Sequence, residues 1–404
     1  MAGATLSTFD KVLKEEYLPG VQIQFHDKNP LYKMLKKASD LEVVGTKAKI
    51  AVETQRHLGH GQRAEDEDLP GAGNVAYTLI EPPLRHNYAR VRITGPSMRT
   101  AKKGRRAFIM GLTSEIKGAE RGMRRNVENQ WNGDGSGCIA TFSAAATSAT
   151  QTVDNARMLD VGQVVDISNR SSGADIQAST SVSSISGKTV VFADSFTSVV
   201  ATSGVFLENT IVGGTIRSMQ GLLGIINDQD PSDVRSTVSN SLHGLAVASN
   251  STWKSERLSN SGTNRDISTD LIRQLADGID VRFGRDGEYC IYSNHAQFRK
   301  FANTLIPDRR YKGNQYKLQG GYTTLDFEGM KWFVGRQCLD NRIFMICKDK
   351  LKIYQLSPIQ WADEDGAVLH RVADRDAYEA YLLYDAELGT SARAAHGVLE
   401  DLSE

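Results

Sequence analysis

Residues 97–131 read SMRTAKKGRRAFIMGLTSEIKGAERGMRRNVENQW. Phe108, Leu112, Ile116, Ala119, Met123, Val127 and Trp131 recur at intervals of 4, 4, 3, 4, 4 and 4, one stripe on a helix surface. Pro96 and Ser97 can open the helix, and Gly133-Asp134-Gly135 stops it. The spacing predicts a single helix over 97–132, on the order of 50 Å long. Its other faces carry Arg99, Lys102, Lys103, Arg105, Arg106, Lys117, Arg121, Arg124 and Arg125, with Glu115 and Glu120 among the few acids between them. Such a helix needs a partner for its stripe. Its cations need phosphate, acidic protein surface or plain solvent.

Upstream, residues 46–96 read as a long hairpin. Ala48, Ile50 and Val52 alternate with Lys47, Lys49 and Glu53 on one strand. The return runs through Val75–Ile80 and Leu84–Thr94, where Val91 and Ile93 alternate with Arg90 and Arg92. Between the strands lies HLGHGQRAEDEDLPGAGN, a polar, glycine-rich tip. A two-stranded arm of this kind is marginal alone. It makes physical sense lying on another molecule, with Arg63, Glu65, Asp66, Glu67 and Asp68 meeting a neighbouring subunit. Residues 1–45 form an N-terminal arm of two short amphipathic pieces, around Phe9, Val12, Leu13 and Tyr17 and around Leu31, Met34 and Leu35. Neither is long enough to fold without a packing partner.

Downstream, the composition changes abruptly after the 97–136 segment. Residues 137–209 are rich in Ser, Thr, Ala, Val and Gly, with Arg157, Arg170 and Lys188 as the cations. Short β patterns at 162–167, 181–185, 189–192 and 204–207 are separated by turn signals, which predicts an inserted all-β barrel or sandwich. Residues 210–265 read mostly as connecting loops. Residues 266–361 are α/β: a helix over 267–283 capped by Ser268, a strand at 289–293, a helix at 295–305 capped by Asn294, then strands at 330–334, 342–347 and 351–356. Residues 362–404 bring two more strands, around 368–372 and 377–384, and a small-residue tail. This last segment carries eleven acids against Arg371, Arg375 and Arg393, a sign opposite to that of the long helix.

The whole chain has 404 residues, with 48 Lys plus Arg against 48 Asp plus Glu. Zero net charge excludes a small basic nucleic-acid-binding module, and 40% hydrophobic residues suffice for packed cores in roughly two or three domains. Four cysteines without a CxxC pair argue against a disulfide framework or a zinc ribbon. The first residues lack the apolar core of a signal peptide, and runs such as Trp332-Phe333-Val334 are too short to span a bilayer. The expectation is a soluble α+β protein made inside the cell, with no membrane partner.

The order of parts resembles the major capsid protein of tailed bacteriophages with the HK97-like fold. ETQRHLGHGQRAEDEDLPGAGN stands for the extended E-loop, and 97–131 for the spine helix of the peripheral P-domain. GEYCIYSNHAQFRKFAN and GMKWFVGRQC stand for the axial A-domain. Residues 137–209 are similar to the insertion modules that some members carry. The resemblance implies a structural protein, not an enzyme, without cofactors, that self-assembles as pentamers and hexamers into an icosahedral shell around double-stranded DNA. It implies a portal protein, a decoration protein and sequence-independent packaged DNA as partners, and a virion location after assembly in the host cytoplasm. About forty-five residues precede the hairpin, so a scaffold is expected as a separate protein. Lys47 and Lys49 lie on the hairpin, but no partner Asn or carboxylate for an isopeptide cross-link is identifiable. An encapsulin-type nanocompartment shares this fold, and a hydrolase with an appended β module is the reading of a different class.

Motifs for catalysis fail on chemistry. Ser186-Gly187-Lys188-Thr189 has the end of a phosphate-binding loop, but Val182 stands where its first glycine belongs. His57 and His60 lack a third metal ligand nearby. Gly133–Gly137 is out of register for a nucleophile elbow. The separated cysteines read as small core residues.

Overall fold

The computed structural model describes residues 30–403, apart from 39–42, 97–104, 144–146, 171–173, 197–198, 200–202, 213–214, 227–240, 248, 305–315, 318–322, 325, 364–365 and 367. The first amphipathic piece of the N-terminal arm, the helix start at 97–104 with Arg99, Lys102 and Lys103, and Leu305 therefore lie outside the described residues.

A short helix α1 (Pro30–Met34) leads into β1 (Lys36–Lys37). The hairpin follows as β2 (Ile50–Gln55) and β3 (Ala76–Ile80), antiparallel. Then come β4 (Arg85–Thr94) and the long helix α2 (Arg105–Asn132). The hairpin expected over 46–96 ends early. β4 does not extend the hairpin: it pairs along its whole length with the C-terminal strand at 377–386. Pro82 and Pro83 explain the break, since proline cannot donate to a ladder. α2 packs against β4 with its stripe inward, where Ile116, Met123, Val127 and Trp131 are buried. Trp131 is the anchor. It stacks on Tyr32 of α1, with centroids 5.6 Å apart, and meets Tyr384 edge-on at 6.3 Å.

Six antiparallel strands follow: β5 (Cys138–Thr141), β6 (Thr150–Thr152), β7 (Val164–Asn169), β8 (Asp175–Ser186), β9 (Thr189–Phe192) and β10 (Ser203–Leu207). They run in the order β5-β10-β7-β8-β9-β6. A bridge between Phe142 and Val153 joins the two ends, so the sheet closes into a small barrel. Closure removes open edges. Its interior is a separate hydrophobic cluster that includes Val165, Ile167, Val182, Phe192, Phe196 and Val205. Phe142, Phe192 and Phe196 contact one another there.

The remaining elements build two further large sheets, with several two-stranded pairings beside them. α3 (Leu222–Ile226) is buried at every residue and lies within the segment expected to be mostly loop. β11 (Glu256–Leu258) precedes α4 (Thr269–Phe283), whose N-cap Ser268 accepts from the Leu271 N–H at 3.2 Å. β12 (Tyr289–Ser293) leads to α5 (His295–Thr304), where Asn294 Oδ1 accepts from the Gln297 N–H at 2.9 Å. β13 (Asp326–Phe327), β14 (Met330–Val334), β15 (Ile343–Cys347), β16 (Leu351–Trp361), β17 (His370–Arg371), β18 (Ala377–Thr390) and β19 (Gly397–Leu399) complete the chain. One sheet runs β1-β16-β18-β17 with β4 on the other side of β18. The other runs β11-β19-β15-β12-β14-β13. The expected small-residue tail is therefore partly a strand: β19 is buried between β11 and β15.

Alternation explains how the second sheet is covered on both faces. Tyr289, Ile291, Ile343, Met345 and Cys347 point to a cluster with α4 and α5. Cys290, Tyr292, Phe344 and Ile346 point the other way, into the large core shared with α1, α2 and the first sheet. Successive strand residues face opposite sides, so a fully apolar strand serves two cores at once.

Candidate assembly surfaces

The base of the hairpin is anchored. Ala48, Ile50, Val52 and Ile80 are buried in the main core. The opposite face is not: Ala51 pairs with Leu79 and Glu53 with Tyr77, and all four are exposed, Tyr77 at 69%. Leu58 and Leu69 in the tip are 62% and 87% exposed. Sequence reasoning located this arm but overlooked Tyr77 and Leu79. The signal lay in the return strand, where one apolar residue falls on each face in turn.

The tip keeps its own shape. A Cβ on Gly73 would sit 2.2 Å from the Gly59 nitrogen, and one on Gly59 would sit 2.5 Å from the Gly73 nitrogen. The two legs therefore touch at a spacing that only glycine permits. Beyond that waist, Arg63 Nε donates to the Asp68 carbonyl at 2.9 Å and Nη1 to the Gln62 carbonyl at 2.9 Å. The Ala64 N–H donates to Glu67 Oε2 at 2.8 Å, and Asp66 turns the chain at φ +67°. Glu65, Asp66, Glu67 and Asp68 are all exposed. Among the described residues, the side-chain hydrogen bonds of Arg63 and Glu67 stay within the tip.

The basic helix divides. Lys117 and Arg121 are exposed, and Arg121 Nε donates to the Lys117 carbonyl at 3.1 Å. Against the expectation that it serves DNA or a neighbouring subunit, Arg124 does not face outward. It is buried and ion-paired with Glu120 one turn earlier. Arg125 is also engaged within the chain, with Asp160 and the Arg157 carbonyl at the barrel. Arg157 in turn pairs with Asp340 in the loop before β15. These contacts hold the barrel against α2 and the second sheet. Arg105 and Arg106 lie in the first turn of α2.

A cleft of 540 Å³ opens where the last turns of α2, the start of β4 and the foot of the barrel meet. Asn87, Asn126, Asn129, Gln130 and Asn209 give it an amide-rich wall, and Arg85, Arg217 and Glu208 give it charge. Asn87 is only 7% exposed. Its Oδ1 accepts from Gln130 Nε2 at 2.7 Å, while its Nδ2 has no partner among the described residues. Gln130 is fixed in turn, since its Oε1 accepts from the Met219 N–H at 2.9 Å.

The motifs set aside in the sequence have ordinary structural places. Ser186–Thr189 is the tight turn between β8 and β9, with Gly187 at φ +62°. His57 and His60 are exposed in the tip, and His57 Nδ1 accepts from the Gly59 N–H. No group of three metal-ligating side chains occurs among the described residues. Cys290, Cys338 and Cys347 are buried, and burial pushes the Cys138 thiol up to about 12. No helix among the described residues is long and apolar enough to cross a membrane.

No family model matches this chain, and no curated protein matches it in sequence. Solved structures do match in fold. A chain of the cyanophage A-1(L) capsid asymmetric unit superposes with a TM-score of 0.55 at 11% identity, covering 93% of each chain. A structure from Gordonia phage Cozz gives 0.47 at 10% identity, over 92% of this chain and 86% of that one. The holo-SrpI encapsulin complex from Synechococcus elongatus gives 0.45 at 10% identity, over 92% and 87%. The chain has the HK97-like capsid fold of tailed-phage capsid proteins, α+β with more strand than helix.

Proposed function

We propose that this chain is the major capsid subunit of a tailed bacteriophage, assembling as pentamers and hexamers into an icosahedral shell that encloses double-stranded DNA. The observation that carries this reading is the hairpin: a capsid-fold chain holds out an arm whose base is buried and whose far face and tip stay exposed among the described residues. A closed symmetric assembly supplies such partners by repeating one contact. Obligate interfaces bury roughly 2,000–5,000 Å², and a lapping arm is an economical way to reach that area. The two-layer body, the β4–β18 sheet with α2 and the α/β unit of β11–β19, corresponds in this reading to the P- and A-domains. The barrel is the insertion, projecting from the shell.

Among the described side chains of α2, Lys117 and Arg121 are the exposed cations, and they would face DNA phosphates or a neighbour's acids. Phosphate contact would be independent of sequence and weakened by salt. A portal protein, a separate scaffold and a decoration protein complete the set of proposed partners.

Deleting Arg63–Gly73 tests the reading. The deletion removes tip residues that are exposed or half-buried, none of them in a hydrophobic core, so folded subunits or capsomers are expected, with loss of fast-sedimenting shells in velocity sedimentation. Normal shells from the deleted chain would remove the arm as an assembly element.

A further inference from the structure

We infer that the amide-rich cleft at the foot of the barrel is the receptor for the hairpin tip of a second copy of this chain. The inference rests on the assembly reading above and assigns the landing site that the reading leaves open.

Three observations converge. First, the cleft has the chemistry to read a peptide backbone. Asn126, Asn129 and Asn209 each present both a donor and an acceptor, which is what main-chain N–H and C=O groups need. Second, it holds an unfilled donor. Asn87 Nδ2 is buried without a partner among the described residues, and Asn87 is held in place through Gln130. A buried donor left unpaired is costly, so a small shift of the Asn87 amide that opens it to a carbonyl or carboxylate arriving in the cleft is favoured. Third, charge matches. The tip presents four consecutive carboxylates, and Arg63 already donates to the carbonyls of Gln62 and Asp68. The cleft presents Arg85 and Arg217 against the single carboxylate Glu208. Arg85 Nε lies 3.8 Å from Glu387, so part of its charge is compensated. Arg217 is exposed and makes no ion pair among the described residues, which makes it the principal anchor. Glu208 would then face Arg63.

The tip also suits the cleft in shape. Residues 56–75 form no strand, so most of their main-chain groups lack ladder partners. The Gly59–Gly73 waist narrows the arm just before the acidic turn. A narrow, irregular, acidic end fits an amide-lined cleft better than a flat sheet edge does.

The test uses the full-length chain. Chains carrying Glu67→Cys and chains carrying Arg217→Cys are co-expressed, and shells are oxidised mildly. Because the native Cys138 lines the same cleft, both variants also carry Cys138→Ser; covalent dimers are then expected from the mixture, and none from either variant alone. In parallel, Arg217→Glu is expected to lower shell yield at least about fivefold, since one weak contact is repeated in every subunit. Glu67→Lys added to the same chain should restore it, a rescue that a purely structural role for Arg217 would not allow. If Arg217→Glu assembles normally and the cysteine pair stays reduced, while the tip deletion still blocks shells, the tip lands elsewhere and this inference falls alone. If the deletion itself leaves shells intact, the assembly reading falls with it.

Discussion

At the scale of single residues, buried ionisable groups decide how the subunit responds to pH. Glu387 on β18 is 2% exposed. Burial raises its carboxyl to about 8, although the Gln220 and Leu388 N–H groups and the Arg85 guanidinium pull the other way. The folded state therefore keeps a proton that the unfolded chain sheds near 4.5, so this group adds stability as pH falls from 8 toward 4.5. His243 and His396 act oppositely. Burial holds both down at about 3, so their contribution is lost as pH falls below the ordinary histidine value of 6.5. Glu387→Gln keeps an acceptor for Gln220 and removes the proton. Between pH 7 and 5 the variant is expected to lose about 2 kcal/mol more stability than the native subunit. Urea unfolding of unassembled subunits at the two pH values checks this, and parallel changes in the two proteins would contradict it. None of this is visible in sequence. Glu387 sits in an alternating strand like any surface carboxylate, and the N–H that meets its carboxyl belongs to Gln220, 167 residues earlier. Trp131, by contrast, was legible, because it ends a stripe whose period alone demands burial.

At the scale of elements, legibility followed locality. The spacing of α2, the capping by Ser268 and Asn294 and the strands at 289–293 and 330–334 all follow from neighbouring residues. β19 did not show itself, because Gly397–Leu399 is too short to display a period and pairs with strands more than 50 and 130 residues earlier. α3 escaped for a related reason: five buried residues carry no amphipathic pattern. β4 was seen as a strand and assigned the wrong partner, since alternation fixes which residues face inward but not what they face. In the exposed arm the acidic tip was legible, whereas the occupation of Arg124 and Arg125 within the chain depends on i,i+4 geometry and on a barrel loop. The barrel carries a prediction of its own. Its first and last strands are neighbours, with Cys138 opposite Phe206, and its core is a separate cluster. Removing residues 138–207 and bridging with a few glycines should leave the remaining body folded, because the ends already lie one strand spacing apart, about 5 Å. Near-ultraviolet circular dichroism and urea unfolding of the shortened chain check it. Loss of cooperative unfolding would show that the Arg125–Asp160 and Arg157–Asp340 contacts are required for the body itself.

At the scale of the whole molecule, a single chain packs its body into hydrophobic cores and leaves its arm exposed. The two large clusters cover the sheets on both faces, and the barrel has closed its edges. Among the described residues, the face with Tyr77 and Leu79, the tip with Leu69 and four carboxylates, and the cleft with an unpaired amide stay open. Open arm and open cleft on one chain form a heterologous pair, and such a pair closes into rings when the rotation between copies allows. Net charge zero fits this balance, with a basic helix and an acidic C-terminal segment in the same subunit. The most direct measurement is negative-stain electron microscopy of the protein expressed in bacteria with its neighbouring phage proteins, followed by nuclease treatment and extraction of the particles. The account predicts closed shells built from five- and six-fold units that protect double-stranded DNA. A monodisperse monomer under the same conditions would contradict it.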